Sequence, residues 1–199
     1  MRNILHISAV ALHFAWANGF FCFVLIGLSS IQGMASEESY EIDVQQAAKA
    51  GDAESQYALA LLYEYGGDSV GRDPQQAIIW FEKAGEAGVA GACLTLGLKY
   101  EYGNRVQRNL SKAACWYACA AHKDWPAAQY FLAIMYEKGK GVQQSTLLAL
   151  AWFGLAAEYG YPEADVEFSK LRSMTEYTDI EALRKIQGQL LKEEESPCN

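Results

Sequence analysis

Proline is scarce in this chain, 4 of 199 residues, and formal charge is missing altogether between Asn3 and Ser36. Histidine is rarer still: His6 and His13 sit near the amino terminus, and His122 is the only one beyond that uncharged stretch. One histidine leaves a Ser-His-Asp triad or a His-rich metal centre short of parts. Ser-x-x-Lys, Gly-x-Ser-x-Gly and a phosphate-cradling glycine loop are also missing. Paired acids such as Glu37-Glu38 fall in loops or ends, where they read as solvated charge. These absences argue against an enzyme and against a cofactor. Basic residues are outnumbered, 16 against 24 acids, for a net charge of −8. Such a surface repels a polyanion, so nucleic acid is not an expected partner.

The uncharged stretch has its own meaning. Within it, Phe20-Phe21-Cys22-Phe23-Val24-Leu25-Ile26-Gly27-Leu28 is strongly apolar and gives way to polar Ser29, Ser30 and Gln32. Small residues at Gly33 and Ala35 then fit the positions before a signal-peptidase cut. Residues 1–35 are therefore expected to be a signal peptide cleaved before Ser36, with an uncleaved membrane anchor as the alternative. Cys22 has no Leu-x-Gly before it, which argues against lipidation. Either way the body of the protein leaves the cytoplasm; the expected location is periplasmic or secreted. No membrane insertion is expected after cleavage.

What the chain has in abundance is repetition. Trp80, Trp116 and Trp152 are 36 residues apart, as are Ala77, Ala113 and Ala149. Phe81, Tyr117 and Phe153 keep the same step, and so do Ala84, Ala120 and Ala156. Tyr63, Tyr100 and Tyr136 follow steps of 37 and 36, as do Gly66, Gly103 and Gly139. The one-residue slip falls in glycine-bearing loops, where a change of length costs little. Each unit reads as two helices. The first spans 53–65, 90–102 or 126–138, and the second starts after a cap at Asp73, Asn109 or Ser145. Pro74 fits the first turn of such a helix. Ala77, Trp80, Phe81 and Ala84, at i, i+3, i+4 and i+7, give the second helix one apolar face. One such hairpin cannot bury that face alone, whereas a capped row of them can.

The spacing predicts an all-α solenoid of about three to four helix-turn-helix repeats of 36 residues, with helical caps. Its divisions are an N-terminal cap (36–50), repeats at 51–86, 87–122 and 123–158, and a degenerate fourth at 159–177. A C-terminal capping helix and tail fill 178–199, with Ile180, Leu183, Ile186 and Leu190 along one helical face.

The run from Ala92 to Gly103, with Leu96-Gly97 and Tyr100, followed by Ala113, Trp116-Tyr117 and Ala120, resembles the Sel-1-like repeat family, relatives of tetratricopeptide repeats. The likeness covers about residues 47–175. It departs at Leu59-Ala60 and Leu132-Ala133, where the family has Leu-Gly, and at Asp124, where it has glycine. The resemblance implies a right-handed superhelix serving as an adaptor or scaffold for other proteins.

Cys93, Cys115, Cys119 and Cys198 lie beyond the leader, an even number in a compartment that favours oxidation. Cys93 shares a helix face with Leu96, Gly97 and Tyr100 and points at the second helix, which puts Cys119 within reach. Cysteine-rich relatives staple their hairpins similarly, but their second cysteine aligns with Ala121. A Cys93–Cys119 disulfide and unpaired packing cysteines both stay open. Cys115, Cys119 and His122, at i, i+4 and i+7, fall within about 60° of one another on a helix. They could hold zinc or copper(I). The equivalent Ile79, Lys83 and Glu86 carry no ligand set, so a metal is not expected and chance recurrence is the preferred reading.

The binding surface is expected on the first helices, opposite their core face. That stripe is Tyr57, Leu61 and Glu64, then Leu94, Leu98 and Glu101, then Tyr130, Ile134 and Glu137. Its tyrosines would anchor a protein or peptide partner, and its glutamates would favour one carrying Lys or Arg. For Leu61, Leu98 and Ile134, packing between repeats is an equal alternative. The leading functional reading is an exported adaptor; a cysteine-dependent redox or metal-handling envelope protein is the other.

Overall fold

The computed structural model describes residues 39–174 and 180–190. The chain divides into two compact units, Met1–Asp43 and Val44–Asn199. The expected leader (1–35), the start of the expected N-terminal cap (36–38) and the end of the expected C-terminal helix and tail (191–199) lie outside the described residues. Every regular element among the described residues is helical.

Helix α1 spans 39–49, and its part from Val44 onward opens the second unit. Three hairpins follow, α2–α3, α4–α5 and α6–α7. Their first helices are α2 (Ala53–Tyr65), α4 (Ala90–Tyr102) and α6 (Pro126–Lys138). Their second helices are α3 (Pro74–Glu86), α5 (Leu110–Ala121) and α7 (Thr146–Glu158). A half-repeat, α8 (Pro162–Met174), and a last helix, α9 (Ile180–Leu190), close the array. Each second helix packs on its own first helix and on the first helix of the next repeat, which makes the second unit a solenoid.

Local chemistry sets the boundaries. The side chains of Asp73, Asn109 and Ser145 accept from the first free backbone N–H groups of α3, α5 and α7. The backbone N–H of each of these cap residues donates to the carbonyl of Tyr63, Tyr100 or Tyr136, closing every loop alike. Across the same loops Arg72 Nε, Arg108 Nε and Gln144 Nε2 donate to the carbonyls of Glu64, Glu101 and Glu137. The last free carbonyls of the first helices are thereby satisfied. Gly103 and Gly139 end α4 and α6 in the left-handed region, at φ 72° and 62°, which glycine adopts without strain.

The core is the predicted apolar stripe. Ala77, Phe81 and Ala84, and their equivalents in the next two repeats, are buried in one continuous cluster. Trp152 and Trp116 are buried with it, while Trp80, in the first hairpin, is only half-buried. At the start of the unit Val44 and Ala48 pack on Leu59 and Val70. At its end Leu183 packs on Leu150 and Ala151 of α7, with Ile186 and Leu190 beside it. The last helix thus covers the apolar end of the third hairpin.

Candidate protein-interaction groove

The stripe chosen from sequence is half-buried throughout, because the first helices of successive repeats stand close enough for it to face the neighbouring repeat. Leu61, Leu94, Leu98 and Ile134 pack against the main core cluster. Tyr57 lies 5.9 Å from the Phe81 ring and against Gly91, where a Cβ would come within 3.0 Å of its ring. Tyr130 packs 5.6 Å from Phe153 and 4.9 Å from Tyr161. Both tyrosines were expected off the core face. They instead fill space between repeats.

The glutamates are engaged as well. Lys99 Nζ donates to Glu64 Oε1 at 2.8 Å, bridging two repeats, and this lysine is only 5% exposed. Phe81, 5.6 Å below the ammonium, offers it the face of its ring. In the next repeat the Phe81 position is Tyr117, whose hydroxyl donates to Glu101 Oε2 at 2.7 Å. Burial, then the adjoining carboxylate, pushes the Tyr117 phenol far above its ordinary value. Glu137 lies near Tyr130 and Lys170 of α8 and adds only a minor electrostatic contribution to each, Lys170 being paired with Glu167.

Between α2 and α4 the stripe opens into a groove of about 410 Å³. Tyr57, Leu61, Glu64 and Leu98 of the predicted stripe line it, together with Phe81 and Lys99. Thr95 and Asn104 add polar lining, and Tyr65 and Tyr102 form its rim. These two rim tyrosines are 77% and 70% exposed, the two largest exposures among the aromatic residues described. Sequence reasoning passed over them. Their step of 37 was a usable signal, and their place in the last turn of α2 and α4 frees the rings from the packing that captures Tyr57.

The cysteines have a structural role. Cys93 and Cys119 form a disulfide with a Cα–Cα separation of 6.0 Å, joining α4 to α5 within one hairpin. Cys119 thereby reaches inward although it sits two residues before Ala121, which is itself buried. Cys115 is disulfide-bonded too. The alternative ligand set Cys115, Cys119 and His122 therefore fails as a metal site: its sulfurs are committed, and metal binding needs free thiolates. His122 packs edge-on to Trp152 at 5.4 Å. Among the described residues no group of three or more His, Cys, Asp or Glu could hold a metal ion.

The Sel1 repeat profile matches residues 53–89, 90–124 and 126–161. The chain belongs to the Sel1 repeat family. These boundaries put one hairpin in each repeat. A Sel1 repeat protein from Oxalobacter formigenes is 33% identical, with a TM-score of 0.62; the match covers 65% of this chain and 96% of that one. Helicobacter pylori cysteine rich protein B is 26% identical at a TM-score of 0.47, covering 62% of this chain and 93% of its own. The uropathogenic Escherichia coli protective antigen c5321 is 23% identical at a TM-score of 0.47, with 75% of this chain and 40% of that one matched. No curated protein matches the chain. A Sel1 repeat array is a non-catalytic scaffold for protein–protein contacts, and this chain is one. No helix among the described residues is long and apolar enough to cross a membrane.

Proposed function

We propose that this Sel1 repeat protein is an exported adaptor that holds a segment of another protein in the groove between α2 and α4. The groove itself carries the reading: it is a concave cleft lined by Tyr57, Phe81, Leu61 and Leu98, with two exposed tyrosines at its rim. Rigid rings with polar tips supply much contact area at little entropic cost, which is why tyrosine dominates interface hot spots. The half-buried members of the stripe, Tyr57, Leu61 and Leu98, form the apolar floor, and Tyr65 and Tyr102 close over the bound segment. The contribution of Leu94, Glu101, Tyr130, Ile134 and Glu137 is to set the spacing of the repeats beneath it.

Export is supported by the uncharged apolar leader and by the Cys93–Cys119 disulfide, a bond that persists in oxidising compartments. Amino-terminal sequencing of the mature protein should begin at Ser36; an intact terminus in the membrane fraction replaces cleavage by an anchor.

Site-specific photo-crosslinking in the native cell tests the groove. A photoreactive residue at Tyr102 should give a discrete adduct, and one at exposed Ile79 on α3 should give none. Equal adducts at both positions, or at neither, would reject the groove as the contact surface.

A further inference from the structure

We infer that the segment held in the groove is acidic, and that a basic edge at the groove's mouth selects it. This rests on the groove being the contact surface. The edge begins where the groove ends: Tyr102 and Asn104 line the cleft, and Arg105 follows directly. The loops at 103–109 and 139–145 contain Arg105, Arg108 and Lys140 and no Asp or Glu, with Lys138 closing α6 just before the second. The second loop lies against the start of α5, directly after the first loop: a Cβ at Gly141 would strike the Leu110 carbonyl and the Ser111 amide. Arg105, Arg108 and Lys138 are exposed, and Lys140 is half-exposed.

The carboxylates nearby offset this charge only in part. Lys99 neutralises Glu64, whereas Glu101, which accepts from the Tyr117 hydroxyl, and Glu137 keep their charge against the four cations Arg105, Arg108, Lys138 and Lys140. The first loop adds Asp68 and Asp73, the latter capping α3 through the N–H groups of Gln75 and Gln76, against Arg72. The net charge of −8 is no obstacle. At physiological salt, fields fade over about 8 Å, so a ligand at the cleft feels the nearby cations more than the distant acids. The sign of the preferred partner is thus the reverse of that expected from the stripe glutamates. A peptide fits better than a flat anionic surface, because Arg105 adjoins a cleft with an aromatic rim that only inserted side chains can fill.

A random dodecapeptide phage library panned against the full-length protein tests this. Wild type should enrich peptides combining Asp or Glu with an apolar or aromatic residue. One enriched peptide, synthesised, should lose affinity on the order of tenfold in Arg105→Glu/Lys138→Glu/Lys140→Glu and in Tyr102→Ala, and weaken with added salt. Basic or uncharged peptides that need Tyr102 would overturn the acidic preference and leave the groove standing. Acidic peptides indifferent to Tyr102→Ala would overturn both, as would no enrichment. Charge-dependent, Tyr102-independent sedimentation with phosphatidylglycerol vesicles, without peptide enrichment, would assign the edge to a membrane surface and reject the proposal.

Discussion

The second and third hairpins solve one problem with different chemistry. At equivalent positions, 36 residues apart, stand Cys93 in α4 and Gln129 in α6; Gln56 precedes them in α2. Gln56 and Gln129 donate through Nε2 to the carbonyls of Ala48 and Ala121, each tying a first helix to the helix before it. Cys93 instead reaches Cys119 and ties its own hairpin together. The second hairpin also carries the polar inner pair Tyr117–Glu101, where the third has Phe153. One repeat is held covalently and by a buried hydroxyl, the other by apolar packing and an interhelix amide. The repeat motif fixes where a tether is needed and leaves its chemistry open.

The comparison is tested most severely in the third hairpin. Trp152 is 1% exposed, so Trp152→Ala should cost about 3–5 kcal/mol in urea unfolding. The half-buried Trp80→Ala should cost much less. Equal losses would mean that burial of this repeated tryptophan does not set what each hairpin draws from it.

Removing the staple comes next. Cys93→Ser with Cys119→Ser should lower stability by about 3 kcal/mol, the typical effect of a disulfide closing a loop of this kind, here a 26-residue separation. Unchanged melting in the double variant would show that the second hairpin gains nothing from its bridge.

Gly97→Ala should cost about 1–3 kcal/mol, since a Cβ there would meet the Tyr117 ring at 2.5 Å. The same position is already alanine at Ala60 and Ala133, where the facing residue of the repeat is phenylalanine. A neutral Gly97→Ala would break the link between the tyrosine and its glycine.

The smallest effect is invisible at neutral pH. Burial, with the bond to Glu82, raises the Tyr100 phenol to about 12, and Tyr117 is raised further. A pKa raised by folding gives stability that is complete below the unfolded value near 10 and is lost as pH climbs toward the folded one. Stability should therefore fall between pH of about 10 and 12, and Tyr117→Phe should flatten the fall. A wild-type profile unchanged by that variant would remove the second hairpin from the alkaline response.

Most of the architecture was legible because it is written several times. Landmarks such as Trp80, Trp116 and Trp152 mark equivalent turns, and caps such as Asp73 and Ser145 act within three residues of themselves. The site was less legible, for a physical reason. The helical wheel assigns Tyr57 and Tyr130 an outward direction about their own helices, but where that points depends on the distance to the next repeat. Lys99 was unreadable for the same reason, since its partner Glu64 lies 35 residues away across the inter-repeat gap. Tyr65 and Tyr102 owe their exposure to helix ends fixed by loops, which face counting along the helix does not weigh.

The groove is tested most directly by calorimetric titration of the cross-linked partner, or of an enriched peptide, into wild type, Tyr65→Ala and Tyr102→Ala, with thermal melts alongside. Both side chains are largely exposed, so melting should stay where it is. The account predicts that each substitution weakens binding at least about tenfold, as loss of a hot-spot ring does. Full affinity in both variants, at unchanged melting temperature, would contradict it.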